Sequence, residues 1–321
     1  MRRIDETIKF MGYEKGDRLG HALAIGLDPI EWLQHKSEIL IPIHELFDNF
    51  VWLWKMSIEM TPLYPAANLW TDHYAHEALS LGQKLYPAEN TNANLADYYK
   101  AWLLRRNNPI YIEKNIKEIM AEYVPDFIGE KPSRLDSAAG KVYSTYLHDK
   151  ELPGREKEVL VLRHDQFFKH HSNDTLNQQS YVITDKEAGF WNAVQDYILQ
   201  QCSSKGIIIE ANPSSNVYIS ELDRYYKHPV FRWHPIKECD LESGRKYNRF
   251  GLRKGPVEVC INTDDPTIFS TTLQNEFKLL RQSAINQFKH GSEEVEDWLE
   301  KLRLKGVKIF NENYICPYEQ I

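Results

Sequence analysis

The sequence has few cysteines, and no two of them stand in a Cys-x-x-Cys spacing. Four occur in 321 residues, and they are Cys202, Cys239, Cys260 and Cys316. Wide spacing of this kind argues against a disulfide framework and is typical of a protein that stays in a reducing compartment. The cysteine content therefore predicts a cytoplasmic location.

Long apolar runs and an excess of positive charge are also missing. The most apolar window, residues 39–56, is interrupted by His44, Glu45, Asp48 and Asn49, and residues 1–9 have no signal-peptide core. We therefore expect no contact with a membrane. The formal net charge is −7, which argues against a nucleic-acid surface as the main feature, although a local basic patch is compatible with it.

Three apolar stretches each stop abruptly in polar side chains. Residues 257–261 run into the adjacent carboxylates Asp264 and Asp265, residues 206–211 run into a polar loop, and residues 17–25 contain His21. Two neighbouring carboxylates repel each other unless a cation or a hydrogen-bonding ligand holds them, although a plain turn explains this one stretch equally well. Strands that all end in reactive side chains are typical of a (β/α)8 barrel, whose active site gathers at the carboxyl ends of its strands.

The residues at these strand ends resemble, in order and content, the last three strand motifs of the adenosine deaminase family of zinc hydrolases. The matching segments are Arg18-Leu-Gly-His21, Asn212-Pro-Ser-Ser-Asn216 and Asn262-Thr-Asp-Asp-Pro266, followed by Phe269-Ser-Thr-Thr-Leu273 and Glu276. They cover about half of the chain. The resemblance implies an α/β fold, the C-terminal part of a (β/α)8 TIM-type barrel, and zinc-dependent hydrolytic deamination of adenine in adenosine, an adenine nucleotide or RNA.

The resemblance also implies a role for each matching residue. His21 would be the catalytic histidine beside the metal-bound water, and Asp264 would be the Zn²⁺ ligand. Asp265 would be the catalytic acceptor that orients the water or a purine ring nitrogen, with Ser215 and Asn216 lining the substrate pocket. Zinc suits this chemistry because it lowers the pKa of its bound water to about 7.

The sequence departs from the family pattern in its zinc ligands. The family takes a His-x-His pair, a third histidine and an aspartate, but none of the 12 histidines here forms a His-x-His pair. A single carboxylate does not make a zinc site. We therefore expect this chain to start after the missing strands, to supply only the C-terminal part of the active site, and to be inactive alone.

Other histidines are weaker candidates for the missing ligands. His73 and His76 are spaced for one helical face, His164 follows an apolar stretch, and His170 and His171 lie in polar sequence. For each of them a structural or solvated histidine is the favoured interpretation. Glu210, within the second stretch, is equally well interpreted as a functional or as a paired core carboxylate.

The spacing of the motifs predicts a long insertion. His21 and Asn216 lie roughly 195 positions apart, whereas one βα unit of a barrel takes about 31 residues. We therefore predict barrel segments at 1–29 and 201–321, separated by a mainly helical insertion at 30–200. Helices are predicted at 2–12, 30–60, 94–105, 111–123, 187–201, 273–289 and 293–304, with a strand at 158–162.

The insertion resembles that of the large deaminase subunit of a bacterial antiphage defence system, RADAR, which works beside a separate ATPase subunit. This resemblance implies a large homo-oligomer with an ATPase partner. A half-barrel also leaves sheet edges and apolar faces unpaired, so we expect self-association. The alternative interpretation is a catalytically silent structural module that retains a vestigial half-site.

Overall fold

The structure is a computed structural model that describes residues 1–35, 38–87, 92–104, 137–150, 158–163, 180–220 and 222–314. It divides into two compact units. The first contains residues 1, 3–32 and 191–321, and the second contains residues 2 and 33–190. The boundaries predicted from the sequence fall after residues 29 and 200.

The described chain combines β-strands with α-helices. The strands are β1 (Arg18–Gly20), β2 (Glu38–Pro42), β3 (Glu158–Arg163), β4 (Ser180–Ile183), β5 (Ile208–Ala211) and β6 (Glu258–Ile261). The helices up to residue 205 are α1 (Arg2–Phe10), α2 (Pro29–His35), α3 (Ile43–Met60), α4 (Asn68–Leu85), α5 (Leu95–Leu104), α6 (Ala138–Lys150) and α7 (Asp185–Lys205). The later helices are α8 (Pro213–Ser220), α9 (Val230–Trp233), α10 (Pro266–Phe269), α11 (Leu273–Asn286) and α12 (Ser292–Tyr314).

The first unit contains a parallel three-stranded sheet with the order β1-β5-β6. Gly20 pairs with Glu210, and Glu210 pairs with Cys260, so the three strands end level with one another. The mixed α/β class and the three predicted strands are confirmed. The first strand is shorter than the predicted stretch 17–25, because the backbone turns left-handed at His21, where φ is 60°.

The second unit contains a separate sheet with the order β2-β3-β4. β2 pairs antiparallel with β3, and β3 pairs parallel with β4. The predicted strand at 158–162 is confirmed, but the prediction of continuous helix from residue 30 to 60 is wrong at β2. The alternating Ile39 and Ile41 suit a strand once β3 is present to pair with them, and that partner lies far along the sequence. The predicted helix 111–123 lies outside the described residues.

Tertiary packing extends α12 beyond its predicted end at residue 304. Ile309 is buried in a cluster with Ile208 of β5 and Cys260 of β6. The helix therefore continues past Gly306, although glycine is a poor helix former. In the described part of the chain, no helix is long and apolar enough to cross a membrane.

A buried carboxyl group sits in the core of the second unit. Glu187 is 1% exposed, and its Oε1 accepts hydrogen bonds from the hydroxyls of Tyr74 at 2.9 Å and Tyr181 at 2.7 Å. Tyr181 also contacts Nε2 of His73 at 3.0 Å. Burial raises the pKa of Glu187 to about 7, and the hydrogen bonds from the two tyrosines oppose that rise. The folded protein therefore binds a proton at Glu187 that the unfolded chain has already released above pH 4.5.

The first prediction concerns the pH dependence of stability. The stabilisation associated with protonated Glu187 is complete below pH 4.5 and is lost as the pH rises through about 7. Glu187→Gln should therefore remove about 3 kcal/mol of the decline in the free energy of unfolding between pH 4.5 and pH 8. Urea denaturation at several pH values measures this slope.

A second variant identifies the group responsible. Tyr181→Phe removes a hydrogen bond that stabilises the charged carboxylate, so the decline should begin at the same pH and continue to a higher pH than in the unmodified protein. An unchanged pH profile in Glu187→Gln would contradict the assignment.

Candidate functional site

The residues that follow the three parallel strands lie at one edge of the sheet. The His21 N–H donates to the Glu210 carbonyl at 3.0 Å, and the Asn262 N–H donates to the Ala211 carbonyl at 2.9 Å. These bonds continue the strand pairing by one residue beyond the strands. The segments that begin at His21, Asn212 and Asn262 therefore leave the sheet side by side.

Two functional side chains at this edge are carried by a strained backbone. His21 and Asp264 both have φ of 60°, and Ala22, beside His21, has φ of 45°. Left-handed backbone costs a residue other than glycine about 1 kcal/mol or more, and it persists only where the surrounding structure enforces it. Among the described residues, Asn92, Ser270 and Lys289 are left-handed as well.

Asp264 connects two of the strand ends. Its Oδ2 accepts a hydrogen bond from the Ser215 hydroxyl at 2.6 Å and lies 3.6 Å from Nε2 of His21. A separation of 3.6 Å is too long for a hydrogen bond. The side chains of His21 and Asp264 are 36% and 35% exposed, so a polar ligand can reach both.

The Asn216 side chain determines which nitrogen of His21 carries the proton. The Asn212 N–H faces Oδ1 of Asn216 at 3.1 Å, and a backbone N–H can only donate. The other amide atom, Nδ2, therefore donates to Nδ1 of His21, which lies 2.7 Å away. Neutral His21 consequently carries its proton on Nε2, the nitrogen that faces Asp264.

A second histidine, His228, forms a hydrogen bond with the side chain of Asn216. Nε2 of His228 donates to Oδ1 of Asn216 at 2.8 Å, and Nδ1 of His228 accepts from the Val230 N–H at 3.0 Å. Both ring nitrogens are therefore satisfied in the neutral form. Burial lowers the pKa of His228 to about 3, so the ring remains uncharged.

A buried glutamate anchors the helix that carries Ser215 and Asn216. Glu276 is fully buried, and its Oε2 accepts from the Ser214 N–H at 2.8 Å in the first turn of α8. Its Oε1 accepts from the Thr271 hydroxyl. A carboxylate at this end of α8 is favoured because the first N–H groups of a helix point outward. Glu276 thus ties α8 to the segment after β6.

Asp265 lies beside the other candidates but points its carboxylate into the backbone. Its Oδ1 accepts from the N–H groups of Thr267 at 2.9 Å and Ile268 at 3.2 Å, and so caps α10. The structure thus brings His21, Ser215, Asn216 and Asp264 into one hydrogen-bonded or contacting group. Asp265 adjoins that group as a helix cap.

The remaining candidates from the sequence, Glu210 and the other histidines, have structural partners or lie outside the described residues. Glu210 pairs with Arg18 of the neighbouring strand at 3.3 Å. His73 bonds Tyr181, and the exposed His76 contacts Glu77 at 3.3 Å, both in the second unit. His164, His170 and His171 lie outside the described residues.

The described residues do not complete the zinc site that the resemblance implies. Among them, no three His, Cys, Asp or Glu side chains come close enough to hold one metal ion. By the resemblance, Asp264 is the one zinc ligand among them, whereas a catalytic zinc takes three protein ligands and an open position.

Sequence reasoning missed His228 as a functional residue, and it quoted Glu276 without giving it a role. The signal at His228 is weak, because a histidine in an aromatic loop is usually structural. Its contribution depends on Asn216, which is 12 positions away. Only the folded chain shows that one amide links the two histidines.

Comparisons with known proteins give no family assignment. No protein-family model matches the chain, and no curated protein matches it at a significant level.

The second prediction tests the tautomer assignment. In the unmodified protein, long-range ¹⁵N–¹H spectra should show neutral His21 with its proton on Nε2. Asn216→Asp replaces the amide donor with a carboxylate acceptor, so the proton should move to Nδ1. Ser215→Ala is the matched control, because it removes a partner of Asp264 and leaves the Asn216 contact intact. A proton on Nδ1 in the unmodified protein would refute the assignment.

The third prediction follows from the lowered pKa of His228. The unfolded chain takes up a proton below about pH 6.5, whereas folded His228 does so only near pH 3. The stabilisation is therefore present above pH 6.5 and is lost as the pH falls toward 3. From pH 7.5 to pH 5 the unmodified protein should lose about 2 kcal/mol more stability than His228→Gln.

Parallel urea denaturation of both proteins at the two pH values measures the difference. Equal losses in the two proteins would show that His228 is not the buried neutral group described above.

Proposed function

We propose that this chain contributes the C-terminal part of the active site of an adenosine deaminase-like zinc hydrolase. The observation that supports it best is the group of His21, Ser215, Asn216 and Asp264 at the carboxyl ends of three adjacent parallel strands. A (β/α)8 barrel builds its active site at that end of its strands. The proposal therefore includes the barrel, with β1, β5 and β6 as its last three strands.

The reaction adds the oxygen of water to C6 of adenine and releases the amino group as ammonia. It needs a group that orients the incoming water and a group that accepts its proton. In our proposal His21 donates a hydrogen bond from Nε2, since Asn216 holds the proton on that nitrogen. Asp264 is a ligand of the zinc ion, and Ser215 fixes the orientation of its carboxylate. Asp265 is the acceptor.

Asp265 also binds the substrate in this proposal. Capping of α10 uses its Oδ1, which leaves Oδ2 for a contact with the purine. The capping bonds also hold the carboxylate in one orientation, which suits a group that positions a ring. Ser215 and Asn216 form the pocket wall beside it.

The proposed enzyme requires more than the described residues. The remaining zinc ligands would have to come from outside the described ranges, either in this chain or in another polypeptide. Because the insertion at 30–200 resembles that of the RADAR deaminase subunit, we propose that the enzyme assembles as a homo-oligomer beside an ATPase subunit in antiphage defence. The substrate would be adenosine, an adenine nucleotide or adenine in RNA.

The alternative is a catalytically silent structural module that retains a vestigial half-site. A hydrogen-bonded cluster of this kind can also persist as a structural link between the strand ends. Zinc content and activity together separate the two functions.

The fourth prediction is the activity test. The chain is co-expressed with a polypeptide that supplies the His-x-His strand, and the complex is incubated with adenosine, AMP or adenine-containing RNA. Chromatography should detect inosine products, and His21→Ala and Asp264→Asn should each slow their formation at least about 100-fold. Ser215→Ala should slow it roughly tenfold to 100-fold, as expected for a group that orients another.

Two variants control this test. Asp265→Ser keeps an oxygen that can cap α10 but removes the carboxylate, so it should raise KM without unfolding the helix. His290→Ala removes a histidine that pairs with Glu294 at 3.0 Å and should leave the rate unchanged. Full activity of His21→Ala would refute the site. A complex with one zinc per chain and no inosine from any substrate would favour the silent module.

A further inference from the structure

The first unit contains a cavity that the candidate deaminase site does not use. Its volume is about 650 Å³, within the usual range of roughly 300–1,000 Å³ for small-molecule sites. None of His21, Ser215, Asn216 or Asp264 lines it, although His228 does. The cavity therefore borders the residue that supports Asn216 and is separate from the His21 group.

Two of the four basic side chains that line this cavity already have carboxylate partners. Arg232 bonds Asp196 at 2.8 Å, and Lys227 lies 3.8 Å from Glu31 and 3.3 Å from Asp223. Asp28, the third acidic residue of the lining, caps the start of α2 through bonds from the N–H groups of residues 30 and 31. The acidic side chains of the cavity are thus engaged.

The other two basic side chains are Lys246 and Arg249. The Lys246 ammonium lies 4.6 Å from the ring centres of both Tyr247 and Phe288, and the Arg249 guanidinium lies 5.8 Å from that of Phe250. Within the described ranges neither has a carboxylate at ion-pair distance. Both are exposed. The cavity therefore carries two positive charges without an ion-pair partner among the described residues, although Arg249 acts electrostatically on Asp196, which already pairs with Arg232.

The loop that carries these two residues is held in place by buried hydrogen bonds. Asn248, between them and 1% exposed, donates to the carbonyls of Leu241 at 2.7 Å and Arg253 at 2.8 Å. The Arg253 guanidinium in turn donates to the carbonyls of Arg232 and Trp233. Lys246 and Arg249 thus project from a fixed backbone, which lowers the entropy that binding would cost.

Five aromatic residues also line the cavity, and they are Tyr226, Phe231, Tyr247, Phe250 and Phe288. Tyr226, Tyr247 and Phe250 line the cavity and are half-buried. Cations and aromatic rings in one cavity suit a ligand that combines an anionic group with a planar ring, because phosphate binds the cations and a base stacks on the rings. An inorganic anion alone would leave most of the volume unfilled.

We propose that this cavity is a binding site for a 5′-nucleotide, with its phosphate on Lys246 and Arg249 and its base among Tyr226, Tyr247 and Phe250. The site is additional to the proposed deaminase site and does not depend on deamination. The geometry specifies the phosphate and a planar base but not which base. His228 both lines the cavity and donates a hydrogen bond to the side chain of Asn216.

The fifth prediction uses GMP as the probe, because guanine carries no amino group at C6 and cannot be a substrate for adenine deamination. Isothermal titration of the full chain should detect GMP binding that weakens with added salt. Lys246→Gln with Arg249→Gln should raise the Kd at least about tenfold. Arg245→Gln is the matched control, because this neighbouring cation pairs with Glu242 at 3.6 Å and does not line the cavity.

Further titrations test each part of the site. Guanosine and inorganic phosphate should each bind more weakly than GMP, and His21→Ala should bind GMP as the unmodified protein does. The proposal is overturned if GMP does not bind, if the double variant binds it normally, or if guanosine or phosphate alone binds as tightly. Loss of GMP binding in His21→Ala would place the nucleotide at the His21 group and would also overturn it. Failure of the deaminase proposal would leave these results unaffected.

Discussion

The parallel pairing of β1, β5 and β6 is the constraint on which the candidate site depends. With Gly20, Glu210 and Cys260 in register, the next residues of all three strands emerge at one edge of the sheet. A shift of one residue in any strand would turn its side chains to the opposite face. Long-range pairing between segments almost 200 positions apart thus creates the contact between His21 and Asn216.

At this edge of the sheet, the side-chain amide of Asn216 determines which ring nitrogen of His21 carries the proton. Asn216 accepts from Asn212 and His228 and donates to His21, so its side chain has only one satisfactory orientation. The proton of neutral His21 must then lie on Nε2, toward Asp264. Burial of His228 reinforces this arrangement, because a charged ring there would lack an acceptor for its second proton.

The rigidity around His21 and Asp264 explains how their left-handed backbones are maintained. Glu276 ties α8 to the segment after β6, and Asp265 caps the helix that follows Asp264. These bonds fix the chain that follows Asp264, and the bond from the His21 N–H to the Glu210 carbonyl fixes the chain at His21. A site held in this way is preorganised, which is what a group that orients water or substrate requires.

The sequence alone predicted the three strands of the parallel sheet and the polar residues at their ends. β-branched runs that stop at His21, at Asn212 and at the two aspartates predicted three strands with polar ends, and the structure confirms those strands and the mixed α/β class. It could not determine which polar side chains face each other, because Asn216, His228 and Asp265 are ordinary loop or helix-start residues until their partners are known. It also missed β2, since a short β-branched run next to a long helix becomes a strand only when β3 is available to pair with it. The capping role of Asp265 depends on nearby partners, the N–H groups of Thr267 and Ile268. The tertiary structure decided the tautomer of His21 and the neutral state of His228, because each depends on which donor or acceptor lies within about 3 Å after folding.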